Sequence, residues 1–555
     1  MLASKLTRIQ DICPECGKIA KERFSFESKT NDGNTVKVIT LECWHIVKKV
    51  IPKGTAFHEF ITYEHRNNGC NHVWNKNRCD DCGAFRLYEF QVEGARFIES
   101  CLSVNNGVGL FDDMGLGKTV QDLAYIYFHP EKLPVLFVVK SAVKYQFFKE
   151  IIRWLGPNYL PQIIQTSKDP VLPGLKTYIT TYDLLRRFDI AKFDPIGIKL
   201  VIFDECQQIK NPDAARTQMA RRVAKGKQVI VQSGTPWKNR GSELFTALNM
   251  LDPRRFYSYN SFFYQWVDTY YQGQYLKIGG IRHPEKFREY TKDIIIRRER
   301  KEVMQELPQV TRNILHYNMA EVEEKAYSEA TEEFIQWYQN YAVSGETNTL
   351  EFHSNLLARL ARLRHITGLA KIPATLAFAE EFVEDTDRKL AIFVHHKDVG
   401  ESLFDELKAK ASEWNNGIKV LKLTAAHSPQ ERFQIQEEFN TTPRAILVAS
   451  TLASGEGINL QTCSDCVMHE RQWNPANEEQ AEARFIRIGQ TADVVTATYV
   501  IADDTIDEYM TNLVERKRVD FHKAMNTGEL PKWNESELAK ELADIILKNF
   551  RKKGK

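Results

Sequence analysis

Apolar residues in this chain come in short uninterrupted runs, each closed by a polar or glycine-rich turn. "VGLF" at 108–111, "PVLFVV" at 134–139, "LVIF" at 200–203, "VIV" at 229–231 and "AILVAS" at 445–450 are the clearest. Runs of this length bounded by turn residues read as strands buried on both faces of a parallel sheet. Between and beyond them the period changes to that of a helix. "KTVQDLAYIYF" places Val120, Leu123, Ala124 and Tyr127 on one face. Tyr327, Ala330, Phe334, Trp337 and Tyr341 recur at steps of three and four, as one core-facing stripe. "NLLARLARLRH" sets Leu356, Leu360 and Leu363 on one side against Arg359 and Arg362 on another, a basic edge. Near the end, Leu538, Leu542, Ile545 and Ile546 mark an amphipathic helix that runs into "FRKKGK". The pattern predicts α/β lobes with a helical stretch between them.

Composition sharpens this a little. At 555 residues the chain has room for about three or four domains, and 43% apolar residues can fill their cores. No apolar run approaches the ~20 residues of a membrane span, and "MLASKLTRIQ" has no signal-peptide core. The cytosol is the expected compartment. A net charge of +2 means that any nucleic-acid surface must be a local patch.

Most of the ten cysteines crowd the first hundred residues. In a reducing compartment close Cys/His spacing points to metal. "CPEC" at 13–16 with "CWH" at 43–45 offers Cys13, Cys16, Cys43 and His45; "CNH" at 70–72 with "CDDC" at 79–82 offers Cys70, His72, Cys79 and Cys82. Each is a Cys3His set, and a closed set of four is the mark of structural zinc. Cross-pairing of the half-sites is the alternative, with His58 and His65 as spare ligands otherwise read as surface histidines. Cys463 and Cys466 have no second pair nearby and read as packing.

"FDDMGLGKT" at 111–119 follows a strand and opens a helix, the setting of a phosphate loop. Gly115 and Gly117 permit the tight backbone, Lys118 would reach the β- and γ-phosphates, and Thr119 would hold Mg²⁺. A glycine turn before a core helix is the competing reading of this segment alone. The general pattern asks for glycine where Asp112 stands. "LVIFDECQ" delivers Asp204 and Glu205 at the C-terminal end of a strand, where ligands of parallel sheets bind. Asp204 would hold Mg²⁺ through water, and Glu205 would orient and deprotonate the attacking water.

With these motifs in this order, the chain resembles a superfamily-2 ATPase of the Swi/Snf type, over about residues 85–515. "DDMGLGKT" is the form motif I takes in that family, so Asp112 is the family's own departure from the general pattern. The resemblance implies that Asp113, Met114, Gly115, Leu116, Gly117, Lys118 and Thr119 line the phosphate site. "FQVEG" resembles the Q motif and puts Gln91 against adenine. "DECQ" resembles the DExx box; Cys206 and Gln207 depart from the usual residues and are expected to stay out of the Mg²⁺ and water roles.

"EEQAEARFIRIGQ" at 478–490 resembles motif VI, which assigns Gln480 to the site and makes Arg484 and Arg487 arginine fingers. "ILVASTLASGEGINLQ" at 446–461 resembles motif V and brings Gly457 near the site, while "AIFVHHKD" at 391–398 resembles motif IV. "IIIRRERKEVMQELP" at 294–308 resembles the stretch that follows lobe one. The expected organisation is a zinc-ribbon-like module over 1–84, a RecA-like lobe over 85–250, a helical insertion and linker over 251–375, a second RecA-like lobe over 376–520, and a C-terminal helix and basic tail over 521–555. The implied cofactors are ATP, Mg²⁺ and two structural Zn²⁺. The implied function is a DNA-dependent ATPase that translocates along or remodels duplex DNA, with ATP hydrolysed between the lobes. Its alternatives are a strand-separating helicase or a zinc-dependent adaptor with a weak ATPase. DNA, double-stranded or branched, is the expected partner, with a replication, repair or transcription protein as a further one and no membrane.

Overall fold

The computed structural model describes residues 10–12, 19–29, 35–41, 46–51, 55–66, 70–75, 77–187, 189–234, 236, 240–272, 275–303, 309–344, 349–414, 417–451, 458–472, 478, 481–482, 484–485, 490, 492, 494–527 and 535–553. The chain forms two compact units, Met1–Gln305 and Glu306–Lys555. Among the described residues no helix is long and apolar enough to cross a membrane.

Unit one begins with strands β1 (Gln10–Ile12), β2 (Ile19–Lys29), β3 (Thr35–Leu41) and β4 (Ile46–Ile51), an antiparallel sheet in that order. A two-stranded ribbon of β5 (Trp74–Asn75) and β6 (Arg78–Cys79) follows. The main sheet is parallel throughout. It contains β7 (Gly107–Leu110), β8 (Val135–Val139), β9 (Gln162–Ile163), β10 (Thr177–Thr181), β11 (Leu200–Asp204) and β12 (Gln228–Gln232). After a hairpin of β13 (Val267–Gln272) and β14 (Tyr275–Ile281), β15 (Ile295–Ile296) returns to the edge of this sheet. The spatial order is β15-β7-β12-β11-β8-β10-β9.

Successive residues of a strand face opposite sides, and the core divides accordingly. Leu136, Val138, Val201, Phe203, Val229 and Val231 belong to one cluster, Val135, Phe137, Val139, Leu200, Ile202 and Ile230 to the other. Helices α1 (Glu89–Val104), α2 (Lys118–Phe128) and α3 (Lys144–Leu155) pack in the second cluster. Residues 55–86 join it directly. Phe60 stacks on Trp154 with ring centroids 5.3 Å apart, Phe57 meets Phe128 edge-on at 5.2 Å, and the Arg66 guanidinium lies over Tyr127 at 4.1 Å.

Unit two is built on a second parallel sheet, of β16 (Gln309–Tyr317), β17 (Leu390–Val394), β18 (Lys419–Leu423), β19 (Ala445–Ser450), β20 (Asp465–Met468) and β21 (Val494–Ala502), in the order β16-β21-β20-β17-β19-β18. Its strands again split between two clusters, with Cys463 and Cys466 buried in one of them. A separate helical cluster joins Tyr327, Phe334 and Tyr338 to Phe352, Leu356 and Leu360, and these to Leu538, Leu542 and Ile546 near the C-terminus. Half-buried Arg359 lies over Trp337 at 4.8 Å, and Arg362 makes an exposed pair with Glu333 at 2.5 Å.

One expectation changes. The stretch 251–375 is not a purely helical insertion: β13 to β16 lie within it, with β15 completing the first sheet and β16 the second. Both additions are edge strands: β15 is only two residues long, too short to read as a strand, and β16 is largely exposed.

Candidate active site

The loop after β7 turns at Gly115 (φ 87°) and Gly117 (φ 70°), both in the left-handed region that favours glycine. Gly117 stands at the N-terminus of α2, so the first amides of the helix open toward the loop. The Lys118 ammonium folds back to donate to the carbonyls of Asp112 (2.7 Å) and Asp113 (3.1 Å). Burial pushes its pKa down, and the charges of Asp112, Glu205, Asp204 and Asp113 push it back up. Gln91, 2% exposed, accepts from the Tyr88 amide (3.0 Å) and donates to the Leu116 carbonyl (3.2 Å), which ties α1 to the loop. Met114 packs against Gly234, where an added Cβ would come within 2.5 Å of its Cγ.

Asp112 does not face phosphate. Its carboxylate is fully buried and held by Arg298: the backbone amide at 3.0 Å and Nε at 3.1 Å donate to Oδ1, and Nη2 at 2.5 Å to Oδ2. The same guanidinium reaches Gln121 Oε1 (3.1 Å) and the Phe90 carbonyl. Asp113 Oδ2 accepts from the Arg300 amide (3.0 Å), and Arg300 Nη2 donates to the Met114 carbonyl (2.6 Å). The acidic pair therefore anchors the phosphate loop to residues 298–300, which β15 delivers beside β7. Sequence reasoning missed Arg298, Arg300 and Gln121. The available signal was "RRER" directly after an apolar triplet, but nothing in the chain order says which carboxylate it meets.

Asp204 and Glu205 lie where β11 ends. Burial, then the Glu205 charge, push the Asp204 carboxyl upward. Glu205 is itself in the left-handed region (φ 54°). Its Oε2 accepts from Ser233 Oγ (3.2 Å) and Gln207 Nε2 (2.5 Å), and Ser233 Oγ also lies 2.7 Å from Gln207 Oε1. Gln207, expected to stay out of the Mg²⁺ and water roles, is thus a direct hydrogen-bond partner of Glu205. Cys206 stays out, buried in the core. Thr119 takes the second position of α2, beside Lys118.

In unit two Arg484 is 3% exposed, and its carbonyl accepts from the Leu460 amide (3.1 Å). The chain around it is fixed by ion pairs whose carboxylates are buried. Arg471 makes a bidentate pair with Glu478 (3.1 and 2.7 Å), and Arg312 another with Glu482 (3.0 and 2.6 Å), whose Oε1 also accepts from Tyr499 (2.6 Å). Gly457, Gln480 and Arg487 lie outside the described residues.

Cys70, His72, Cys79 and Cys82 come together, their ligand atoms all within 4.8 Å of one another. Cys70 and Cys79 sulfurs are 3.7 Å apart, and Cys82 Sγ is 3.4 Å from His72 Nδ1. Bonds of about 2.3 Å to zinc predict a sulfur–sulfur edge of roughly 3.8 Å in a tetrahedron, so this donor set has the chemistry and spacing to hold zinc. His72 stacks on Trp74 at 5.1 Å, which fixes its ring. Cys13, Cys16, Cys43 and His45 lie outside the described residues.

Comparison with known proteins agrees with this geometry. The SNF2-related domain family matches residues 90–369, and the helicase conserved C-terminal domain matches residues 374–489. The DNA annealing helicase and endonuclease ZRANB3 of Mus musculus is 25% identical over 498 residues, covering 84% of this chain and 45% of that protein. The Caenorhabditis elegans homolog of SWI/SNF-related matrix-associated actin-dependent regulator of chromatin subfamily A-like protein 1 is 29% identical over 449 residues, covering 78% of this chain and 61% of that one. The chain thus spans less than half the length of the mouse protein. The solved Sulfolobus solfataricus SWI2/SNF2 ATPase core in complex with dsDNA aligns over 83% of this chain and 96% of that one, at 23% identity and a TM-score of 0.36. Since the SNF2-related match alone takes in half of its residues, and the helicase C-terminal match follows directly, this chain belongs to the SNF2-related family of helicase-like, ATP-hydrolysing enzymes.

Proposed function

We propose that this chain is a DNA-dependent ATPase that translocates along or remodels duplex DNA or protein–DNA complexes. The observation that carries the reading is the convergence, at the C-terminal ends of β7, β11 and β12, of a glycine-turned phosphate loop, the Asp204–Glu205 pair and Ser233. In this reading Lys118 leaves the loop carbonyls to meet the β- and γ-phosphates, and the amides at the start of α2 bind them from below. Thr119 and Asp204 hold Mg²⁺, which neutralises charge on the phosphates. Glu205, steadied by Ser233 and Gln207, orients the attacking water and takes its proton. Arg484 and Arg487 supply the positive charge of arginine fingers. Zinc at Cys70, His72, Cys79 and Cys82 has a structural role, because four protein ligands leave no open position for substrate.

DNA enters through the relatives, two of which are named for DNA annealing and for regulation of chromatin. The test is steady-state ATP hydrolysis by the full chain with no DNA, single-stranded DNA, duplex DNA and forked DNA. Duplex or forked DNA should stimulate turnover most. Equal rates with and without every DNA would reject the proposal. Strand displacement on the fork, read in parallel, would move the assignment to a strand-separating helicase.

A further inference from the structure

Glu482 is a buried carboxylate in the same turn as Arg484. The Ala481 carbonyl accepts from the Arg484 amide and the Glu482 carbonyl from the Phe485 amide, both at 3.0 Å. Phe485 is buried and meets Phe393 edge-on at 5.8 Å, which anchors the turn on the core. The Glu482 side chain is held from the sheet. Arg312 Nε donates to Oε1 at 3.0 Å and its Nη2 to Oε2 at 2.6 Å, while the Tyr499 hydroxyl donates to Oε1 at 2.6 Å. A forked arginine fixes the plane of a carboxylate as well as its distance. Arg312 comes from the edge strand β16, where its register partner on β21 is Ala497. Tyr499 is two residues further along β21, on the same face. Its ring also carries the Arg471 guanidinium at 4.4 Å, so one tyrosine joins the Arg312–Glu482 pair to the Arg471–Glu478 pair. Taking a carboxylate out of water is costly, and an apolar residue of similar size would pack the turn as well. What the charged pair adds is direction.

We propose that Arg312, acting through Glu482, is a positioning residue for Arg484: it sets the place and tilt of the turn from which Arg484 meets the charge on the transferred phosphoryl group. The inference rests on the reading of Arg484 as an arginine finger given above. Misplacing a group in a catalytic constellation by about 1 Å can cost about 10²-fold in rate. A carboxylate held by two nitrogens and a hydroxyl cannot drift that far without losing those hydrogen bonds. Arg312 touches no reacting atom in this scheme. It acts on turnover only by where it keeps Arg484.

The experiment measures ATP hydrolysis by the full chain with duplex DNA, and the affinities for ADP and for ADP–aluminium fluoride on the same preparations. Arg312→Met with Glu482→Gln removes both charges, keeps the bulk and leaves Tyr499 an acceptor, so the melting temperature should stay near the wild-type value. Its kcat should fall about 10²-fold. The KM for ATP and the affinity for ADP should stay within about twofold of wild type, because only a transition-state contact is disturbed. Affinity for ADP–aluminium fluoride, which mimics the transferred group, should fall with kcat. A wild-type kcat in this double variant would overturn the inference and leave the pair a packing feature. Should the double variant melt early, Arg312→Lys decides: it keeps the charge and loses the fork. A lowered kcat at unchanged KM in that variant upholds the inference, and a wild-type kcat overturns it. Arg484→Ala is measured alongside. If it turns over like wild type, the arginine-finger reading itself has failed; if it is slow while both Arg312 variants match wild type, the present inference alone is wrong.

Discussion

Glu205 shows how much of the chemistry depends on single backbone positions. Its left-handed φ turns the carboxylate out of the strand direction, and Ser233 and Gln207 then fix it from one side. Glu205→Gln keeps the shape and removes the carboxylate that the proposed mechanism uses as its base. It should leave ATP binding within about twofold of wild type and lower turnover by 10²-fold or more, the contribution of a positioned general base. Nucleotide binding and single-turnover hydrolysis measured on one preparation decide this. Arg298 makes a different point. It is the counterion of a carboxylate with no solvent access, and removing one partner of such a pair leaves an uncompensated buried charge. Arg298→Ala should cost about 3–5 kcal/mol in urea unfolding of unit one. The double variant Asp112→Asn with Arg298→Met should recover much of that loss, since replacing both partners is far cheaper than orphaning one.

Among elements, the ribbon of β5 and β6 is too small to hold itself together by burial. Its stability has to come from the four-ligand cluster and from residues 55–66 packed on α2 and α3. Cys79→Ser with Cys82→Ser should remove one zinc per chain by metal analysis. It should also raise hydrogen exchange across residues 70–86, because metal binding and local folding are coupled there. Exchange in β8 and β11 should stay as in wild type. The sheets, the phosphate loop and this cluster were legible in the sequence because each rests on near neighbours: an uninterrupted apolar run, two glycines before a lysine, paired half-sites of cysteine and histidine. Arg298, Gln207 and the edge strands β15 and β16 were not. Arg298 meets its carboxylate 186 residues away. Gln207 folds back on Glu205 through a local turn that no motif announces, β15 is only two residues long, and β16 is largely exposed.

For the whole molecule, a net charge of +2 sets the terms on which DNA can be held. Affinity has to come from local basic surface, and phosphate contacts release counterions. Duplex affinity should fall by about 10³-fold or more between 50 and 200 mM salt if six or more phosphates are neutralised, and it should vary little with base sequence. Fluorescence anisotropy on two unrelated duplexes across that range measures both. The return of β15 to the edge beside β7 has a practical corollary for anyone who wants the first lobe alone. Truncation before Ile295 would strip the neighbour from a fully apolar strand and take away the only guanidinium that reaches Asp112 among the described residues. A recombinant piece ending at residue 290 should go to inclusion bodies, whereas one carried through residue 303 should stay in the supernatant. The usable end of this lobe is therefore set by an arginine rather than by the last long strand.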